Sequence, residues 1–157
     1  MDESLFVELD APRNSDVAEI KRVLTAHAAA LRDKDIGAVM ANIGDQILCF
    51  NMAPPLGTRG AADYRRNLEM WFLTWDGPIN HDQSGLEITV GGDVAFATAY
   101  HRIGGTKKAG GVHSLWGRST VGLRKIEGRW TSVHEHVSTP FYMDGSLRAA
   151  VDLTPEG

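Results

Sequence analysis

Glu135 is the residue whose setting asks for a chemical explanation. It lies in RWTSVHEHVSTP, residues 129–140, with Val133 and Val137 two residues away on either side. In an extended strand those three side chains share one face, so a carboxylate is expected among valines on the side that helices cover. A carboxylate in such a place must be paired, hydrogen-bonded or neutralised, and an apolar setting raises its proton affinity toward the range useful for proton transfer. Two readings follow. Glu135 is either a proton-transfer group or a structural charge held by an ion pair, by Tyr64 or by a histidine. Histidines supply the other candidates. His27 falls in the apolar stripe Val17, Ile20, Leu24, His27, Leu31, and His101 extends the row Ala95, Ala97, Ala99. Each is either a satisfied core or rim residue or a general acid or base.

His134 and His136 flank Glu135 and point the other way, onto a face shared with Trp116, Arg118, Thr120, Trp130 and Ser132. Two imidazoles without a third protein ligand make a poor zinc site, so no metal is assigned. Tryptophan, arginine and histidine interleaved with hydroxyls suit a partly polar contact between copies of the chain. A homodimer through Trp116, Arg118, Trp130, His134 and His136 is therefore expected.

The elements that must position these residues are legible from periodicity. Asp16 followed by Glu19 has the spacing of a capping box, which starts a first helix after a loose arm ending at Pro12. A second helix is expected from about Asp35 to Asn42, stopped by Gly44, and QILCFN, residues 46–51, reads as a strand. Tyr64, Leu68, Trp71 and Trp75 share helical spacing, giving a third helix that stops before Gly77-Pro78. Beyond Ile79 the period becomes two. Leu86, Ile88 and Val90 alternate with polar residues, Gly91-Gly92-Asp93 turns the chain, Val94 to Ile103 returns, and two long strands follow, joined at Glu127-Gly128. Helices first and an antiparallel meander afterwards imply an α+β domain with the helices on one side of a curved sheet.

Composition bounds the rest. The chain of 157 residues, 43% hydrophobic and 23% charged, fits one soluble domain with a core of about 16–141 and a flexible arm and tail. A net charge of -4 without a basic cluster argues against nucleic acid. Cys49 is the only cysteine, which excludes an internal disulfide. The acidic start does not read as a signal peptide, and no apolar run is long enough for a membrane span, so a cytoplasmic location is the default expectation.

HAAALRDKDIGAVMANIGDQILCF, PPLGTRGAADYRRNLEMWF, GGDVAFA and above all EGRWTSVHEHVSTPF carry a resemblance to the SnoaL-like, ketosteroid-isomerase-like superfamily named after nuclear transport factor two. The W-x-x-V-H-x-H-x-S-x-P stretch is also similar to the association domain of calcium/calmodulin-dependent kinase II. The resemblance implies a cone-shaped half-barrel, with a curved, mostly antiparallel sheet, about three N-terminal helices on its concave face and a cavity between sheet and helices, and commonly a dimer. Ketosteroid isomerase sets a carboxylate base against a tyrosine and a protonated aspartic acid. Carried across, the tyrosine falls on His27, the base on Asn51 and the acid near Ser119, so steroid isomerisation by that mechanism is not expected. The kinase comparison places pocket positions at His101, Val121 and Val137, with Tyr64 at a pocket histidine.

The candidate catalytic residues are thus Glu135, His27 and His101, with Asn51, Tyr64, Trp71 and Ser119 facing a ligand. The expected activity is isomerisation, cyclisation, dehydration or hydrolysis of a small, mostly apolar organic molecule, with no cofactor. The rival is a ligand-binding or association module without catalysis, since one cone serves many functions.

Overall fold

A computed structural model describes residues 3–156, with side chains from Arg13 onward. The chain forms α1 (Glu3–Asp33), α2 (Ile36–Met40), β1 (Ile43–Phe50), β2 (Thr58–Arg59), α3 (Ala61–Leu73), β3 (Trp75–Gly91), β4 (Val94–Lys107), β5 (Val112–Ile126) and β6 (Arg129–Ser138). The six strands make one curved, unclosed sheet in the order β2-β1-β6-β5-β4-β3. Only β1 and β6 run parallel; every other neighbouring pair is antiparallel. This is the α+β half-barrel expected.

Three boundaries differ from the sequence reading, each for a local reason. The chain is helical from Glu3, so Asp16 caps nothing. Its carboxylate instead accepts hydrogen bonds from Lys125 Nζ at 2.7 Å and Trp130 Nε1 at 2.9 Å, tying α1 to the sheet. Gly44 does not stop α2 but lies inside β1, where a Cβ would come within 3.2 Å of the Ser132 carbonyl oxygen. α2 is capped where expected, by Asp35, whose side chain accepts from the Ala38 N–H at 3.0 Å. Trp75 opens β3 instead of closing α3, because Thr74 ends the helix by returning its hydroxyl to the Trp71 carbonyl. The tail folds back on itself, with Phe141 bridged to Ala149 and Ala150 buried.

Two bulges set which side chains face the helices. In β6 the partner of Gly122 is His134 but the partner of Leu123 is Ser132, so Val133 is one residue too many. Strand alternation therefore changes parity at Val133. Trp130 and Ser132 face inward on one side of it and Glu135 on the other, all three buried. Trp130 thus leaves the outer face to which alternation alone assigns it. A second bulge falls between Ser84 and Glu87 at Gly85, whose φ of +62° favours glycine. Before it Ile79 and His81 are buried; after it Val90 is.

The interior is two clusters rather than one. Ile20 and Leu24 of α1 pack with Val90, Ala95, Ala97, Leu123 and Trp130. Ala30, Leu31 and Val39 pack with Ile47, Cys49, Tyr64, Phe72, Trp75 and Ile79. The alanine row of β4 faces the helices, as expected, with Phe96 and Tyr100 exposed on the outer side.

Asp16→Ala leaves the buried Trp130 indole N–H without an acceptor and frees Lys125. An unsatisfied buried donor costs about 1–3 kcal/mol, and urea unfolding should show a loss of that size. A midpoint equal to that of the natural chain would contradict the anchor.

Candidate functional site

Polar side chains cross the inward sheet face on a diagonal, one per strand: His81 on β3, His101 on β4, Ser119 on β5, Glu135 on β6 and Cys49 on β1. The register produces it. Glu135 is paired with Cys49 on one side and Val121 on the other, and Ser119 stands two residues from Val121 on the same face. None of His81, His101, Ser119 or Glu135 belongs to either hydrophobic cluster.

Two hydrogen-bonded pairs organise this diagonal. Tyr64 of α3 donates its phenol to Glu135 Oε2 at 2.8 Å in a fully buried bond. Of the readings open for Glu135, the structure selects the hydrogen bond to Tyr64. The buried tyrosine is pushed well above its ordinary pKa by desolvation and by the Glu135 charge, so it remains a donor. Cys49, beside the same carboxylate, has its thiol pushed up to about 12 by burial first and by Glu135 second. It is an inert thiol whose Sγ donates to Asn51 Oδ1 at 3.3 Å.

In the second pair His101 Nε2 lies 2.6 Å from Ser119 Oγ. The His81 ring stacks beside it, tilted by 46° with centroids 4.9 Å apart. His27 approaches from α1, and its repulsion acts on both rings. Burial, then His101, His27 and Arg32, push the His81 imidazole down to about 3. Burial, then His27, push His101 down to about 4. Both are neutral at neutral pH. The Nδ1 atoms of His81 and His101 are buried and have no hydrogen-bond partner. Buried polar atoms are nearly always paired, so two such nitrogens on adjacent rings mark a place for an oxygen from outside the chain.

The seven site residues expected from sequence separate into groups. His27, His101 and Ser119 come together, as do Glu135 and Tyr64. Asn51 is exposed at the end of β1. Trp71 is half-buried, packed against the second cluster and edge-on to Trp75 at 5.8 Å. His81 is the residue sequence reading missed. Its signal was Gly85, which interrupts β3 and reverses the alternation read backwards from Leu86. Among the described residues no His, Cys, Asp and Glu cluster could hold a metal ion. No described helix is long and apolar enough to cross a membrane.

On the outer face, Trp116 is half-buried and Arg118 exposed, while His134 and His136 stand edge-on to Phe50 at 5.2 and 5.7 Å. His134 Nδ1 is 2.8 Å from the Leu48 carbonyl oxygen. A shallow cleft of about 130 Å³ separates Tyr100, Trp116 and Arg118 from Leu153 and Pro155 of the tail.

Residues 20–142 match the model of the SnoaL-like domain, and the chain belongs to that family. An NTF2-like protein of unknown function from Pseudomonas putida KT2440 is 30% identical, superposes with a TM-score of 0.83, and matches over 90% of this chain and 98% of its own. A candidate scytalone dehydratase from Novosphingobium aromaticivorans shares the fold at 19% identity and a TM-score of 0.74, over 88% of this chain and 93% of its own. A ketosteroid isomerase-like protein from Erwinia carotovora does so at 23% and 0.70, over 80% and 96%. No curated protein matches the chain.

The depressed imidazoles make stability pH-dependent. Their pKa values in the folded chain lie below the ordinary 6.5, so between about 6.5 and 3–4 the unfolded chain binds more protons. Their contribution is complete above 6.5 and is lost as pH falls toward 4 and then 3. Lowering the pH from 7 to 5 should cost up to about 2 kcal/mol for each ring, and His81→Gln should flatten the profile. A urea midpoint that holds steady over that interval in the natural chain would contradict buried, neutral rings.

Proposed function

We infer that the protein binds a small ring-containing organic molecule bearing a hydroxyl or carbonyl oxygen, and moves a proton on it. The observation that carries this reading is the pair of unpartnered Nδ1 atoms on His81 and His101. With Ser119 fixing one side of the His101 ring, a neutral imidazole can take a proton from carbon next to a carbonyl. The imidazolium so formed can return that proton, directly or relayed through the neighbouring ring, either to another carbon, which is isomerisation, or to a departing hydroxyl, which is dehydration. Either outcome leaves the protein's proton count unchanged and calls for no cofactor. The name of the Novosphingobium relative favours dehydration between the two. His27 supports the pair from α1. Glu135, engaged by Tyr64, holds α3 against the sheet beside the reacting groups and passes the base role assigned to it from sequence to the imidazoles.

The test is a screen of hydroxylated ring ketones, following water loss by absorbance, with His101→Gln and His81→Gln as partners. Loss of one acid–base group should lower kcat by about 100-fold or more in either variant, with the fold retained by circular dichroism. Turnover undiminished in both variants would remove the proposal.

A second reading concerns assembly, and the outer face supports it. Phe96 and Tyr100 are about half exposed there, next to Trp116 and Arg118. A face of this composition fits a homodimer built without Trp130, in which His134 and His136 meet the second copy beside Phe50. Phe96→Glu should shift the mass measured by light scattering from two chains to one. An unchanged mass of two chains would place the contact elsewhere, and a monomeric natural protein would exclude it.

A further inference from the structure

We propose that Met52 is the residue that sets which ligands reach the paired imidazoles, by occupying the space that Gly117 leaves empty; this rests on the small-molecule reading above. Gly117 is buried, lies directly opposite His101 in the β4–β5 ladder and stands two residues from Ser119. Its missing side chain therefore points to the same inward face as His101 and Ser119. A Cβ there would stand 3.3 Å from Met52 Sδ and 3.5 Å from Met52 Cε. Gly117 is not among the residues with positive φ, so the backbone conformation does not call for glycine. The close approach of Met52 does, together with that of the Ser138 carbonyl oxygen, which would also stand 3.3 Å from the Cβ.

Met52 comes from residues 51–57, which join β1 to β2 at the edge of the sheet. The segment is held at its ends: Asn51 accepts the Cys49 thiol, and Gly57 lies against the Phe50 ring, where a Cβ would be 3.3 Å from Cε1. Between them it is loosely covered, with Met52 38% and Leu56 98% exposed. Met52 thus has one side on Gly117 and the other in water, which is the position of a door rather than of a core residue. Behind it His81 and Ser119 are buried and His101 is half-buried, and clefts of about 130 and 520 Å³ lie at the outer face and the tail. In this proposal a ligand oxygen reaches His101, itself half-buried, by passing or displacing the thioether. Methionine suits that role because its unbranched chain has three rotatable bonds and its sulfur packs favourably against ring edges. The class selected is a single flat ring with one oxygen function, and a second fused ring would require the volume of the Met52 side chain.

Binding can be read directly at the imidazoles, without turnover, from the His101 and His81 ring resonances on addition of phenol or 2-naphthol. For the natural chain, phenol should perturb both rings and 2-naphthol should bind more weakly. Met52→Ala should gain about tenfold or more in affinity for 2-naphthol, with phenol changed by less than about threefold. Met52→Leu, which keeps the volume, should behave as the natural chain does. Phenol binding equally to all three proteins, with 2-naphthol unaffected by Met52→Ala, would overturn the door and leave the small-molecule reading standing. So would tight 2-naphthol binding by the natural chain. Absence of any shift at either ring, with either probe and in every protein, would sink both.

Discussion

The extra residue in β6 is the constraint on which the rest of this structure depends. With strict alternation, Trp130 and Glu135, five residues apart, would point to opposite faces. The bulge at Val133 turns both inward, where each finds one partner on a different helix. Trp130 donates to Asp16 of α1, and Glu135 accepts from Tyr64 of α3. One strand is thereby bonded by side chains to two helices. Neither bond survives a change of parity: Trp130 turned outward would lose Asp16, and Glu135 turned outward would leave the buried Tyr64 hydroxyl without its acceptor.

A second consequence is the division of the interior. Apolar residues gather on either side of a line of polar groups, and that line runs from His81 through His101 and Ser119 to Glu135. Burying such groups is costly unless they are paired. At the Glu135 end the pairing is complete, and Tyr64 supplies it. Toward His81 it is incomplete, since two imidazole nitrogens have nothing to bond. An unpaired buried polar atom costs about 1–3 kcal/mol, and such costs persist in natural proteins chiefly where function requires them. Neutral imidazoles lessen that cost relative to charged ones and keep the rings able to accept a proton.

Much of this was legible in the residues. Glycine turns at Gly92 and Gly128, the alternation of β4 and the helical spacing around Tyr64 fixed the order of elements, because local periodicity determines them directly. The anomaly of Glu135 pointed inward correctly, and Tyr64 was among its expected partners. What escaped reading depends on position along a strand counted through an irregularity. Val133 bears no mark in the sequence that makes it a bulge, so Trp130 was assigned to the outer face and a dimer contact. Gly85 did bear one, and with it His81 could have been brought to the same face as His101. Asp16 had the spacing of a cap, but its partners, Lys125 and Trp130, lie more than a hundred residues away, beyond the reach of any local pattern.

The central claim is that His81, buried, and His101, half-buried, are both neutral and each free at a buried Nδ1. Nitrogen-15 spectra of the histidine rings, recorded from neutral pH down toward the acid limit of the fold, test it most directly. Both rings should keep the neutral pattern well below the ordinary 6.5, with His101 protonating near 4 and His81 near 3, or only as the chain unfolds. Two rings titrating together near 6.5 in the folded protein would mean that water and charge reach them freely, and the account of this site would be wrong.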